Sequence, residues 1–266
     1  MPQWVETIIL GVIEGITEFL PISSTGHLIV AQHFMGGARS EFFNVGIQAG
    51  AVLAVVLIYW RRLLDLVVHI REREAQAYAG KLALAFGITV ALGLASRKMG
   101  MTLPESPEPV AWAVLLGAVA IFWAEAHLRR RTPVETIAWS VAAWVGVAQV
   151  LAGVFPGASR SATTIIAAML LGCSRMAATE FSFLVGIPTM FAASIYLAWG
   201  EWREHGGEAM TAELGDFALG FAVSMVTAFL AVKWLLGFLR THDFRPFAWY
   251  RLALGAGLLG WIYLAS

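Results

Sequence analysis

Residues 14–27 read EGITEFLPISSTGH. This stretch packs two glutamates, two serines, two threonines and a histidine into a 266-residue chain that is 59% hydrophobic and only 14% charged. A soluble domain carries about 25% charged residues, so the composition is that of an integral membrane protein. A carboxylate buried in such a protein is expensive unless it is paired or coordinated. How the chain holds these groups decides its fold.

Apolar segments lie on both sides of the stretch. They run at about Trp4–Leu20, Ile22–Met35, Phe42–Trp60, Ala79–Leu94 and Val110–Leu128. A second set runs at about Ile137–Phe155, Thr163–Cys173, Phe181–Trp199, Phe217–Leu239 and Phe247–Leu264. They are too continuously apolar for barrel strands, which alternate with period two, and they predict an all-α helical bundle. Trp4, Trp60 and Trp199 fall near segment ends, as in an interfacial aromatic belt. The opening MPQWVETIIL has no basic leader region and does not read as a cleaved signal peptide. Net charge is zero, so no global field points to nucleic acid. One cysteine, Cys173, excludes an internal disulfide and a cysteine-rich metal site.

The two sets of segments are alike. Shifted by 135 residues, GVIEGITEFLPISSTG lies over GVAQVLAGVFPGASRS without a gap, pairing Gly11 with Gly146, Glu14 with Gln149, Pro21 with Pro156 and Ser24 with Ser159. EFFNVGI from Glu41 likewise resembles EFSFLVGI from Glu180. The order of features predicts a single membrane domain of two structural repeats, about 1–131 and 132–266.

Charge gives the topology. Arg61, Arg62, Arg71, Arg73 and Lys81 mark one candidate cytoplasmic loop, Arg129–Arg131 a second, and Arg240 with Arg245 a third. The loops near Pro104–Pro109 and Glu201–Glu213 are acidic, apart from Arg97, Lys98 and Arg203. A single crossing by Ile137–Cys173 would put the later basic loop outside. Two full crossings are disfavoured, because Thr163–Cys173 spans only about 17 Å as helix. A re-entrant hairpin satisfies every loop. By repeat symmetry Trp4–Met35 is another, and each half has three further crossings. Three is odd, so the second half is inverted. The expected fold has six crossings and two re-entrant hairpins whose tips, Pro21–Gly26 and Pro156–Ser161, meet near the midplane. Irregular backbone survives there only inside protein or along a watery cavity.

The tips carry chemistry. Glu14 and Glu18 share one helix face and would not both stay ionised without help. A divalent cation or an arginine would supply it, and Mg²⁺ takes carboxylates together with phosphate oxygens. The plain alternative is one protonated glutamate with a structural role. Pro21 is expected to end the first helix, and Ser23, Ser24 or Thr25 to cap the next, whose N–H groups suit an anion. His27 follows one turn in, placed to act as base, acid or nucleophile. In PGASRSATT, Arg160 can hold phosphate bidentately, and Ser159, Ser161, Thr163 and Thr164 add donors. Such a set suits a phosphate group on an otherwise apolar molecule. The remaining histidines fall outside it, and there is no Walker A or HExxH pattern.

EGITEFLPISSTGH and PGASRSATT closely resemble the two signature regions of the undecaprenyl-pyrophosphate phosphatase family, also called the bacitracin-resistance protein family. IQAGAVLAVVLIYW and EFSFLVGIPTM resemble its flanking segments, so the likeness covers most of the chain. It implies a bacterial inner-membrane enzyme that depends on Mg²⁺ or Ca²⁺. That enzyme would take one phosphate from undecaprenyl pyrophosphate at a site open to the periplasmic side, and so recycle the carrier for peptidoglycan and other wall polymers. It further implies metal binding or base function for Glu14 and Glu18, a place in the site for Ser24 and His27, and pyrophosphate holding for Arg160. The family usually has glycine after SRS, where this chain has Ala162; the extra methyl is expected to tighten that turn.

Ser24, His27 and water all stand as candidate nucleophiles, with Glu18 favoured for proton transfer if water attacks. A lipid-phosphate flippase or anion transporter would use the same architecture, and a structural subunit would use the polar tips only to lock helices. The expected partners are a polyprenyl diphosphate and membrane lipids, and a homodimer is left open.

Overall fold

The computed structural model describes residues 2–37, 39–101, 107–130 and 132–265, without the side chains of residues 41, 97, 201, 204–212 and 265. Pro104 and Arg131 of the expected loops lie outside the described residues. In lipid every backbone polar group must be satisfied internally, and the long apolar runs form helices. In chain order these are α1 (Gln3–Thr17), α2 (Ser24–Phe34), α3 (Glu41–Ile58), α4 (Trp60–Val68), α5 (Arg73–Lys98), α6 (Pro107–Leu128), α7 (Trp139–Val154), α8 (Arg160–Leu170), α9 (Arg175–Phe238) and α10 (Arg245–Ala265). Among the described residues no strand forms, and one isolated bridge joins Val134 to Cys173.

Among the described residues, five helical segments are long and apolar enough to cross a membrane, or six if the bent pair α3–α4 is one span. Their outward surfaces are apolar: Leu116, Trp123, Leu230 and Trp249 are each more than half exposed. Polar side chains such as Thr7, Glu125, Ser224 and Arg251 are fully buried instead. This inside-out distribution fits a multi-pass membrane protein, with lipid as the solvent.

The basic stretch after Trp60, expected as a loop, is helical. α4 follows α3 at a 64° bend, and α5 begins at Arg73, so Arg73 and Lys81 are helical too. The reason is amphipathicity: Leu66 is buried and Leu63 packs on the core, while Arg61 and Asp65 are exposed. Such a helix lies along an interface rather than across it.

α9 is 64 residues long, which as a straight rod would reach about 96 Å. Its apolar spans, Arg175–Gly200 and Glu213–Phe238, instead pack on α3 in opposite senses. Glu180 in the first span pairs with Arg62 just past the end of α3, and Leu197 shares a cavity with Asn44 near its start. In the second span Phe217 stacks on Phe42, and Phe221 lies against Gly50. The chain reverses direction between the two spans.

The short helices pair off. Both ends of the α1–α2 segment lie where α3 begins: Gln3 bonds Asp216, and Arg39 reaches both Asp216 and Glu6. Both ends of the α7–α8 segment lie at the opposite end of the bundle. There Val134 exchanges backbone bonds with Gly172 and Ser174 at 2.9 Å each, and Lys81 sits over the Trp139 ring. Glycines set the depth of packing. A Cβ at Gly11 would lie 3.0 Å from the Gly220 carbonyl oxygen of α9, and one at Gly146 2.6 Å from that of Ala85 in α5. The main core fills the space among α3, α6, α7, α8, α9 and α10.

Candidate functional site

Two breaks in the helical chain build the site. α1 ends at Thr17 with Glu18 as its C-cap, three residues before Pro21, the expected breaker. Proline disfavours helical backbone in the residue before it, and the turn forms over 18–22. Ser23 then caps α2, its Oγ accepting from the Gly26 N–H at 3.3 Å. Ser159 caps α8 in the same way, accepting from the Ala162 N–H at 3.3 Å. Among the described non-glycine residues, Ser23 and Ser159 alone have positive φ, 76° and 68°. Each opens an 11-residue helix. The caps therefore pair Ser23 with Ser159, one residue from the gapless sequence register, and put Ser24 and Arg160 at matching first helical positions. Ala162 leaves the cap unchanged.

These two first residues converge on one carboxylate. Ser24 Oγ donates to Glu18 Oε2 at 2.6 Å, and Arg160 Nη2 donates to Glu18 Oε1 at 2.9 Å. Glu18 is 7% exposed, so the arginine neutralises a charge that is largely withdrawn from solvent. Gly186 makes room for Arg160, since a Cβ there would collide with its guanidinium. Glu14, one turn earlier, is 2% exposed, and among the described residues its Oε2 has no hydrogen-bond partner.

The convergence point opens into two cavities. The larger, about 690 Å³, is lined by Glu18, Ser24, Thr25, Ser159 and Arg160. It continues past Val150, Gly153, Met190 and Ala193 to Gly100 and Met101 beyond the C-terminus of α5. The smaller, about 330 Å³, is lined by Glu14, Gln32 and Asn44. Ser24, Thr25 and Gln48 line both. A polar throat thus joins a largely apolar chamber to a smaller one. The site can hold an anionic head in the throat with an apolar chain beside it.

Other expected site residues lie behind the throat. His27 Nδ1 bonds the Ser23 carbonyl at 2.7 Å, and Nε2 bonds the Tyr250 hydroxyl at 2.6 Å. With both nitrogens engaged and the ring stacked on Tyr250, His27 lines neither cavity. Ser161 donates to the Leu20 carbonyl at 3.1 Å and so ties the two breaks together. Thr163 and Thr164 turn back to the Arg160 carbonyl at 3.0 and 2.7 Å. Ser23 is buried at its cap, and Thr25 is exposed to both cavities.

Gln48, Tyr250 and Arg251 escape a reading of the sequence. Arg251 carries a signal, being a charge inside the apolar run from Phe247, and such residues are functional candidates by default. Gln48 and Tyr250 have none, because one amide and one interfacial tyrosine are ordinary in a membrane helix.

Known proteins share this chain's sequence almost end to end. Residues 7–257 match the family described as Bacitracin resistance protein BacA. An Undecaprenyl-diphosphatase of Rhizobium etli is 55% identical over 261 residues, covering 97% of each chain. Another, of Xylella fastidiosa, is 50% identical over 256 residues, covering 96% of this chain and 97% of its own. A third, of Xanthomonas axonopodis pv. citri, is 48% identical over 267 residues and covers all of both chains.

Proposed function

Because the chain belongs to the Bacitracin resistance protein BacA family, we propose that it is an undecaprenyl-diphosphatase that recycles the lipid carrier of cell-wall polymers. It cleaves the terminal phosphate of undecaprenyl diphosphate, giving undecaprenyl phosphate and inorganic phosphate. The observation that carries this reading is the Glu18 carboxylate, held between Ser24 and Arg160 at the head of an apolar chamber. The diphosphate lies in the throat and the polyprenyl chain along the chamber wall.

Arg160 orients the diphosphate through the N–H groups that Glu18 leaves free, and the N–H groups at the starts of α2 and α8 add to it. Ser24 Oγ attacks the terminal phosphorus in line. Its proton passes to Glu18 Oε2 as the new O–P bond forms and the bridging P–O bond breaks, releasing undecaprenyl phosphate. Glu18 hands that proton to the departing undecaprenyl phosphate oxygen, and the freed carboxylate takes one from water, which attacks the phosphoserine phosphorus. This proton returns to Ser24 Oγ as the O–P bond breaks and inorganic phosphate leaves. His27 holds the cap through the Ser23 carbonyl. Ser23, Ser159, Ser161 and Thr164 set the two breaks, and Thr25 faces the bound headgroup.

Glu14 and Glu18 also fit a hard divalent cation, Mg²⁺ or Ca²⁺. Both are buried carboxylates, and Glu14 Oε2 is left without a partner. Among the described residues no cluster of three or more acidic, His or Cys ligands forms, so the remaining ligands would be phosphate oxygens and water. When bound, the cation supplies charge neutralisation beside the diphosphate.

The same reading places α1–α2 and α7–α8 as re-entrant hairpins in two inverted repeats, about 1–131 and 132–266. Support comes from their ends, which meet at opposite ends of the bundle, and from Gly11 on α9 matched by Gly146 on α5. The end carrying Arg129, Arg240 and Arg245 faces the cytoplasm. The larger cavity runs toward the other end, which puts its mouth on the periplasmic side of the inner membrane.

The test is phosphate release from undecaprenyl diphosphate in detergent, with and without EDTA. Wild type is expected to release phosphate and Arg160→Ala to fall by about 10²-fold or more. A wild type that releases none, and instead moves lipid phosphate across proteoliposomes, would establish the transporter reading in its place.

A further inference from the structure

Arg251 lies on α10 with no exposed surface, and none of its hydrogen bonds goes to a carboxylate. Among the described residues its nitrogens meet backbone carbonyls alone. Nε donates to Val114 at 3.0 Å, and Nη2 to Ala113 at 3.0 Å, both on α6. Nη1 donates to Pro21 at 3.4 Å. Nη2 also reaches Gly157 at 3.2 Å and Ala158 at 3.3 Å.

The last three carbonyls belong to the two breaks. Pro21 precedes the Ser23 cap by two residues, and Gly157 and Ala158 immediately precede the Ser159 cap. One planar guanidinium therefore bridges both breaks to α6. Two glycines clear its surroundings. A Cβ at Gly117 would collide with the guanidinium, and one at Gly157, whose φ is +91°, would lie 2.6 Å from the Val110 carbonyl oxygen. Lysine offers a point charge on a flexible stem in place of a rigid fork and could not make these bonds together.

Removing a guanidinium from water is expensive when no anion repays it. The carbonyl dipoles offset part of that, and an anion bound between the two breaks would offset more. We infer that Arg251 is a positioning residue for the reaction. It fixes the spacing of the two caps, so that Ser24 and Arg160 meet on Glu18, and it adds an uncompensated positive charge behind the diphosphate site. This rests on the phosphatase reading for its kinetics, but the spacing of the breaks is measurable without turnover.

The experiment compares Arg251→Lys and Arg251→Met with Glu125→Gln. Glu125 is equally buried, and it accepts from Arg175 and from the Phe244 N–H at the basic end of the bundle. Each variant is assayed for Tm and for kcat and KM on undecaprenyl diphosphate. In a separate derivative of each, electron double resonance reads the distance between nitroxides at Thr25→Cys and Phe155→Cys. Arg251→Lys is expected to lower kcat by about 10²-fold, the effect of roughly 1 Å of misplacement, and to broaden the distance distribution. Glu125→Gln is expected to lower Tm while kcat per folded molecule stays within about twofold, as for an independent site, with the distribution unchanged. Wild-type kcat and KM in Arg251→Lys would overturn the inference. So would an unchanged distance distribution in both Arg251 variants. A wild type that shows no turnover fails the phosphatase reading alone, and the distance measurement still decides the spacing.

Discussion

Ser24 gives its hydroxyl hydrogen to Glu18 Oε2 at 2.6 Å, while Arg160 holds the other oxygen of the same carboxylate at 2.9 Å. A serine so placed has a base already on its proton. Positioned proton transfer contributes about 10²–10⁴-fold, so Ser24→Ala and Glu18→Gln are each expected to lower kcat by that order. Because the two act as a unit, the double variant should be little worse than either single one. Rapid-quench experiments with substrate labelled in the terminal phosphate should trap label on Ser24 in wild type. Full activity in Ser24→Ala would assign the attack to water directly.

Arg160 and Glu18 are a largely buried pair, with side chains 17% and 6% exposed. Breaking such a pair from one side costs about 3–5 kcal/mol, because it leaves a buried charge uncompensated. Arg160→Met should therefore lose stability as well as activity. Arg160→Met combined with Glu18→Gln should recover much of the stability and none of the turnover. Chemical denaturation in detergent beside the phosphate assay separates the two effects.

Much of this arrangement is legible in the residues alone. The apolar runs carry the helices, and loop charge with the length of Thr163–Cys173 carries the pairing of short helices. What escapes has physical causes. α4 reads as a loop because its arginines sit on one face of an amphipathic turn, which a segment average hides. The cap register slips by one residue because Ser23, Ser24 and Thr25 are chemically alike, and only the backbone says which has positive φ. His27 looks chemically free because nothing in sequence announces that Tyr250, 223 residues away, takes its Nε2.

Gly15 tests how tightly α1 is held. A Cβ there would collide with Thr227 and lie 2.8 Å from the Ala228 nitrogen of α9. Overpacking costs about 1–3 kcal/mol, and Gly15→Ala would displace Glu14 and Glu18 together. A lower Tm and a lower kcat are both expected. Gly153→Ala, with nothing among the described residues within 4 Å of the added carbon, should lose no stability and gain up to about 1 kcal/mol, because alanine is the better helix former.

Ala162 stands where the family usually has glycine, yet its N–H reaches the Ser159 hydroxyl at the same 3.3 Å that Gly26 reaches Ser23. It lies inside α8, where alanine is favoured over glycine by up to about 1 kcal/mol. Ala162→Gly is thus expected to destabilise by about that amount, with kcat within about twofold of wild type, as read by thermal melting and phosphate release. A gain in kcat of about tenfold, worth roughly 1.4 kcal/mol, would mean that the methyl does strain the turn.

The topology can be read with thiol chemistry, because Cys173 is silent. It is buried, and burial pushes its thiol up to about 11, the Glu135 carboxylate adding to the shift. At pH 7 roughly one molecule in 10⁴ carries the reactive thiolate, against a few per cent for a free cysteine. Single cysteines can therefore be placed at exposed ends of the short helices: Trp4 and Phe34 for α1–α2, Trp139 and Leu171 for α7–α8. If each pair is a re-entrant hairpin, an impermeant maleimide added to intact spheroplasts labels Trp4→Cys and Phe34→Cys. Trp139→Cys and Leu171→Cys should label only after permeabilisation. A pair split between the two sides would make that segment a true crossing. For α7–α8 the parity of the loops would then fail. An odd number of crossings would separate the basic ends of α6 and α10, which Arg129 and Asp243 join at 3.5 Å.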